Sequence, residues 1–452
     1  MKGKIQKKLV GILINALFLI GISAFVTSCR SDEAKVRTAL NKYKVVTGED
    51  NLQGLAHRLS GVNKNIQTKG IVFDSLSMKH VLTGYDYGQV YDWDLYFECI
   101  YQVYNNGSKY CFANLDAFLA RQEEDGFIKR SFGPYDYGKV HMFKPFIAQT
   151  ALLGMRHKSD LEWLGSRYDK IVKYENCWYD RYDKDNNNLC VWYNADHSGM
   201  DNQNSRVTGG LIDEGVDLNC YLYRELCALS ELAKMLDKKE DEVLFIQKAE
   251  AVKTAINTLL WDEETGFYYD RLESTGELNK VKGVSGFAPL YADIVSKGRA
   301  ERLVKEHLLN EKEFWAKYPV NTLAQDETEY DQSGAQPPSG HCNWNGTTWI
   351  PFNYMVFHGL LNYGYNDVAK ELAHKTFDLV YKQNALTREY YNSDTGEGYG
   401  RNPFYGWSTL AYFMPLEYEL GYDPTKIKET KMLPLATMIL ESNMKNKTNE
   451  PT

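Results

Sequence analysis

The sequence predicts an all-α protein, an (α/α)6 toroid (six-hairpin barrel) with short β-hairpins in its loops. Three observations predict it. Helical segments of two kinds alternate along the chain, one apolar nearly all round and one amphipathic and charged. There are six of each kind. No Pro/Ser-rich linker divides them, which disfavours the rival reading of two separate bundles. A helix apolar all round is buried on both sides and an amphipathic one on a single side. Six buried helices with six surface helices therefore give an inner ring wrapped by an outer ring, because no pair can bury its apolar face alone.

The chain begins with Lys2, Lys4, Lys7 and Lys8, an apolar run from Leu9 to Val26, and then Val26-Thr27-Ser28-Cys29. A basic start, a short apolar stretch and small residues are the parts of an export signal. The cysteine straight after Val-Thr-Ser resembles a bacterial lipobox. Residues 1–28 are thus expected to be a lipoprotein signal peptide, with Cys29 the lipidated first residue. An ordinary membrane helix, or secretion with cleavage near Ser28, is the alternative. Residues 29–50 read as a polar tether, opening Arg30-Ser31-Asp32-Glu33, and a first helix. Such tethers resemble those of surface-exported lipoproteins. The expected location is the cell envelope of a Gram-negative bacterium, lipid-anchored at the outer membrane on its periplasmic or surface face.

Residues 51–444 form the expected toroid. Its buried helices start near Asp94, Phe143, Asp217, Gly283, Thr347 and Phe404. Asp217–Leu236 places Leu218, Leu222, Leu226, Leu229, Leu232, Ala233 and Leu236 at three- and four-residue steps, the spacing of a helix. The charged helices fall at roughly 113–124, 159–174, 239–260, 298–309 and 366–383, with one more at a terminus. Trp261–Tyr269 and Glu389–Gly396 pair turn residues with aromatic flanks and predict hairpins. Residues 445–452 read as a disordered tail.

Composition narrows the function. Net charge is −8, and no basic stripe follows the signal, so nucleic acid is not an expected partner. No second apolar stretch is long enough to span a bilayer. Eight cysteines include Cys29; the other seven are scattered, with no C-x-x-C pair. One bridge, Cys177 with Cys190, is conceivable. No metal site and no cofactor are expected. The 33 Tyr, 9 Trp and 19 Phe are more than a core needs, and many lie beside Gly, Asn and Asp in loops. Aromatic faces there suit the C–H faces and hydroxyl edges of a sugar.

Four loop stretches adjoin the buried helices: Tyr91-Asp92-Trp93-Asp94, the loop around Asp201, Asn343–Trp349, and Thr387–Tyr391 with Gly406-Trp407-Ser408. In a toroid they converge on one funnel and supply acids, amides and indoles to it.

These stretches resemble glycoside hydrolase family 63. Tyr91-Asp-Trp-Asp94 is similar to its Trp-x-Trp-Asp motif, and Ser198-Gly-Met-Asp-Asn202 to its Glu-Ser-Gly-x-Asp-Asn loop. Val216-Asp-Leu-Asn219 resembles the helix that follows. Asn343-Trp-Asn-Gly-Thr-Thr-Trp349 is similar to Tyr-Trp-Arg-Gly-Pro-x-Trp. Glu389–Gly398 with Phe404–Ser408 resembles the family's Glu-x-Tyr-Asn-Pro-Glu-Thr-Gly-x-Gly…Phe-x-Gly-Trp ending. The chain looks most like the single-domain, mannosylglycerate hydrolase-like branch.

The resemblance implies an inverting, exo-acting α-glycosidase for a gluco- or manno-configured oligosaccharide or small glycoside. Asp201 would be the general acid and Glu389 the general base, with Glu397 the fallback. Tyr91, Trp93, Asp94, Lys144, Gly199, Arg206, Asn343, Trp344, Asn345, Gly346 and Trp407 would bind substrate, with at least two of the three indoles facing the sugar. Asp217 and Asn219 would fix the helix behind the acid loop. His197 stands where the family has Glu, and Asn345 where it has Arg. Lys144 stands where relatives often carry Gln, which suggests an acidic sugar or aglycone. A non-catalytic glycan-binding lipoprotein, and a polysaccharide lyase or unsaturated-uronide hydrolase, remain as alternatives on the same fold.

Overall fold

The computed structural model describes residues 34–35, 38–39, 51–86, 88–135, 141–203, 212–334, 342–384, 386–401, 404–428 and 432–448. The signal peptide, Cys29 and Arg206 lie outside the described residues. The helices in chain order are α1 (Asn51–Lys69), α2 (Asp92–Tyr104), α3 (Lys109–Leu119), α4 (Ile147–His157), α5 (Leu161–Tyr182), α6 (Val216–Met235), α7 (Lys239–Leu259), α8 (Ala288–Tyr291), α9 (Lys297–Arg302), α10 (Ile350–Asn362), α11 (Asn366–Tyr381), α12 (Met414–Leu420) and α13 (Leu435–Thr448).

The inner ring closes on itself. α2 packs on α4, α4 on α6, α6 on α8 and α8 on α10. α10 packs on the 3-10 segment Gly406–Tyr412 that leads into α12, and that segment returns to α2. Every residue of α2 is buried, as a helix apolar all round requires. Pro289, Pro351 and Pro415 sit in the first turns of α8, α10 and α12. There their missing N–H costs no intrahelical bond. The outer helices show the opposite pattern: α5 buries Leu164, Tyr168, Ile171, Trp178 and Tyr182 at three- to seven-residue steps. The sixth outer helix, expected at a terminus, is α1. It packs on the 3-10 segment and on α13.

Both expected hairpins form, as two-residue ladders: Trp261 opposite Tyr268, and Tyr390 opposite Tyr399. A longer one, Ile71–Asp74 with Lys79–Leu82, was not foreseen. α13 runs to Thr448, four residues into the stretch expected to be a tail. All seven described cysteines are free, so the conceivable Cys177–Cys190 bridge does not form. Among the described residues no helix is long and apolar enough to cross a membrane.

Candidate active site

The loops at the N-terminal ends of the inner helices are tied to one another, and that converges the expected residues. Asp94 does not cap α2; Tyr91 occupies the cap position. The Asp94 carboxylate instead accepts hydrogen bonds from the Tyr85 hydroxyl at 2.6 Å and the Tyr405 hydroxyl at 3.1 Å. Burial and the charge of Asp92 push Asp94 up to about 6, against the pull of those hydroxyls and of Lys144.

Asp201 follows a single helical turn, Ala195–Ser198. Asn194 starts this turn by accepting from the His197 N–H at 2.8 Å, as an N-cap asparagine does. Gly199 ends it at φ +82°. A Cβ there would lie 2.8 Å from Lys144 Cε and 3.2 Å from Trp93, so Gly199 packs on the floor of the site. Asn202 then zips the loop to the next one. Its Oδ1 accepts from the Trp344 N–H at 2.7 Å, its Nδ2 donates to Asn343 Oδ1 at 3.3 Å, and its carbonyl accepts from Asn345 Nδ2 at 2.9 Å. Asp201 is thus held, partly exposed, between two anchored neighbours.

Glu389 directly precedes the strand Tyr390–Tyr391 and is partly buried. Its Oε2 accepts from the Arg401 N–H at 3.1 Å and its Oε1 from the Cys342 thiol at 3.3 Å. Trp407 Nε1 donates to its carbonyl at 3.3 Å. Burial pushes Glu389 up to about 7; those two hydrogen bonds resist, and the charges of Asp94 and Asp201 add to the rise. Cys342 lies within the fields of the same three carboxylates, Glu389, Asp201 and Asp94. Asp94, Asp201 and Glu389 are thus close enough to act on one another by charge. Glu397 does not join them: it is exposed at the hairpin turn, bonded to the Tyr399 hydroxyl at 3.2 Å.

Several expected binding residues have other work. Lys144 is wholly buried and ion-paired to Asp92 at 3.0 Å, under the Trp93 ring. It supports the floor rather than meeting ligand. Asn343 is fully buried and spends its amide on Asp331 and Ser333. Trp93, Trp344 and Trp407 are only 4, 1 and 2% exposed. Trp344 stacks on Trp349 at 3.4 Å, and Trp93 meets Trp344 and Trp407 at 5.7 and 5.8 Å. The three indoles form a packed wall. Gly346 passes against Tyr330. Asp217 and Asn219 are structural as expected: Trp192 Nε1 donates to Asp217 at 2.9 Å, and Asn219 bridges the backbone of Cys190.

His197 sits in an aromatic box, with the Trp178 ring stacked at 5.6 Å and Trp192 at 5.1 Å. Burial and nearby cations hold it well below the usual imidazole range, so it is neutral packing behind the acid loop. The sequence reading did not single out Tyr85, Arg130, Cys342 and Tyr405 as site residues, and had Asn202 only as the end of the acid-loop motif. Arg130 lies over the Tyr91 ring, donates to the Asp196 carbonyl, and feels the charges of Asp92 and Asp201. Tyr405 could have been found, since it lies inside the Phe404–Ser408 motif; Arg130 carries no local signal. Among the described residues no group of three or more His, Cys, Asp or Glu could hold a metal ion.

The family profile described as mannosylglycerate hydrolase MGH1-like glycoside hydrolase domain matches residues 87–408. An uncharacterized protein of Borreliella burgdorferi is 25% identical over 275 residues, 60% of this chain and 55% of that protein. The match thus spans about half the length of that relative. The GH63 mannosylglycerate hydrolase from Thermus thermophilus, solved in complex with glucose, aligns at TM-score 0.64 and 20% identity, covering 79% of this chain and 99% of that one. Neutral trehalase Nth1 from Saccharomyces cerevisiae aligns at TM-score 0.57 and 16% identity, covering 80% of each chain. These likenesses establish the toroid fold.

Proposed function

The chain belongs to the mannosylglycerate hydrolase MGH1-like glycoside hydrolase family, and from that premise we propose that it is an exo-acting α-glycosidase that inverts the anomeric centre. The observation that carries the reading is that Asp94 and Asp201 both act by charge on Glu389 and on the Cys342 thiol bonded to it. Asp94, held by two tyrosine hydroxyls, binds hydroxyls of a gluco- or manno-configured sugar. Glu389 draws a proton from a water molecule as its oxygen bonds to the anomeric carbon. The bond to the aglycone oxygen breaks, and Asp201 gives that oxygen its proton. An inverting pair needs a gap of ~6.5–9.5 Å to hold the water. Glu389 at about 7 is matched to base work near neutrality, where proton transfer is most efficient.

The leaving-group side is the Asp201 side, and Arg130 stands there. That favours a small glycoside whose aglycone carries a carboxylate, as in the mannosylglycerate of the relative's name. Glucosides and mannosides with neutral and acidic aglycones test this reading. Asp201→Asn and Glu389→Gln should each lose most of the hydrolysis seen in the parent; an unchanged rate in either variant defeats it.

The lipoprotein reading rests on the basic start, the Leu9–Val26 run and Cys29. Incorporation of labelled fatty acid should vanish in Cys29→Ser. Label retained in that variant would exclude the anchor at Cys29.

A further inference from the structure

Behind the site lies a buried acid that the mechanism does not use. Glu98 is one helical turn after Asp94 on α2 and 1% exposed. Among the described residues neither carboxyl oxygen has a hydrogen-bond partner within normal geometry; its polar neighbour is the backbone of Trp407. A buried acid with so little compensation is costly to keep, so its surroundings bear on why it is there.

The carboxyl lies directly over two glycines. A Cβ added at Gly84 or at Gly406 would overlap Glu98 Oε1. The two turns are joined there, since the Gly406 N–H donates to the Gly84 carbonyl at 3.0 Å. Each turn carries a neighbour of the glycine into the site. Tyr85 and Tyr405 supply the two hydroxyls on Asp94, and their rings pack together at 4.5 Å. Trp407 supplies the indole N–H on the Glu389 carbonyl.

We propose that Glu98 is a positioning residue: its carboxyl keys the Gly84 and Gly406 turns together and so keeps Asp94 and Glu389 in register. The role rests on the reading of Asp94 and Glu389 as the sugar-binding acid and the base. It is one of shape and packing over the two glycines, not of charge. Burial and the adjacent Asp94 push Glu98 well above the usual carboxylate range, which favours its neutral form. An ionised Glu98 would face Asp94 across one turn, with the Tyr101 hydroxyl and the Cys99 thiol as its other titratable neighbours.

Two readouts on the full chain test this, one of them independent of activity. Amide hydrogen exchange of segment 405–408 reports the Gly84–Gly406 clamp directly, since local opening sets the exchange rate. Glu98→Ala should raise exchange there by about tenfold and raise KM more than it lowers kcat. Glu98→Gln, neutral and of the same shape, should restore both to within about threefold and leave the pH profile in place. Should the alanine variant fail to fold, Glu98→Asp, shorter by one methylene, should show the same loosening. Exchange unchanged in the alanine or aspartate variant overturns the proposal, as does a glutamine variant as loose as alanine. A parent that binds and cleaves no glycoside would instead defeat the glycosidase reading and leave the exchange test standing.

Discussion

The Cys342 thiol lies 3.3 Å from Glu389 Oε1 and donates to it. A hydrogen bond to a carboxylate favours its charged form, and a base must be charged to work. Cys342→Ala removes the donor, so the acidic limb of kcat/KM should move up by about half a pH unit, worth ~0.7 kcal/mol. Cys342→Ser keeps a donor and should not move it upward. A pH–rate profile of the two variants checks this.

The parent profile has its own expected sign. Glu389 at about 7 and Asp94 at about 6 must both be ionised for their roles. Activity should therefore fall as pH drops through 7 and fall faster below 6. The three carboxyls interact, so the limbs belong to the group rather than to single residues. Were Glu389 the acid instead, activity would fall as pH rises through 7. The profile thus assigns the roles that burial alone does not.

Gly400 takes φ +71°, and a Cβ there would overlap Glu389 Oε2. Gly400→Ala meets both backbone strain and that overlap. It should cost about 1–3 kcal/mol of stability and lower kcat, while circular dichroism shows the helical fold retained.

Asn202 joins the acid loop to Trp344 and Asn343. Asn202→Ala leaves the Trp344 N–H and the Asn343 oxygen without that partner, at about 1–3 kcal/mol. With half to all of that felt in the transition state, kcat/KM falls by roughly twofold to a hundredfold. Steady-state kinetics beside a thermal melt separate lost register from lost fold.

Lys144 and Asp92 are 0 and 1% exposed and ion-paired. Lys144→Met strands a buried carboxylate, which should cost about 3–5 kcal/mol in urea unfolding. A variant of parental stability with a raised KM would return Lys144 to the substrate.

The toroid was legible because each inner helix is apolar all round over its own length, a signal carried within ten to twenty residues. Asp201, Glu389 and Asp94 stood out as candidates for the same reason: each sits inside a short motif. The Ile71–Leu82 hairpin was missed because Phe73 on its first strand and Met78 in its turn are exposed apolar residues, which blur the alternation a half-buried strand should show. Lys144 was misplaced because its partner Asp92 is 52 positions away, and Arg130 was missed because its neighbour Asp201 is more remote still. Pairings of that kind exist only in three dimensions. The mutual packing of Trp93, Trp344 and Trp407 was not legible, because sequence shows that an aromatic residue is present but not which neighbour covers its face.

The most direct test of the paired-carboxylate mechanism is the anomer of the first sugar released, followed by proton NMR before mutarotation. A single displacement on an α-glycoside should give the β-anomer first. An α-anomer appearing first would contradict the mechanism.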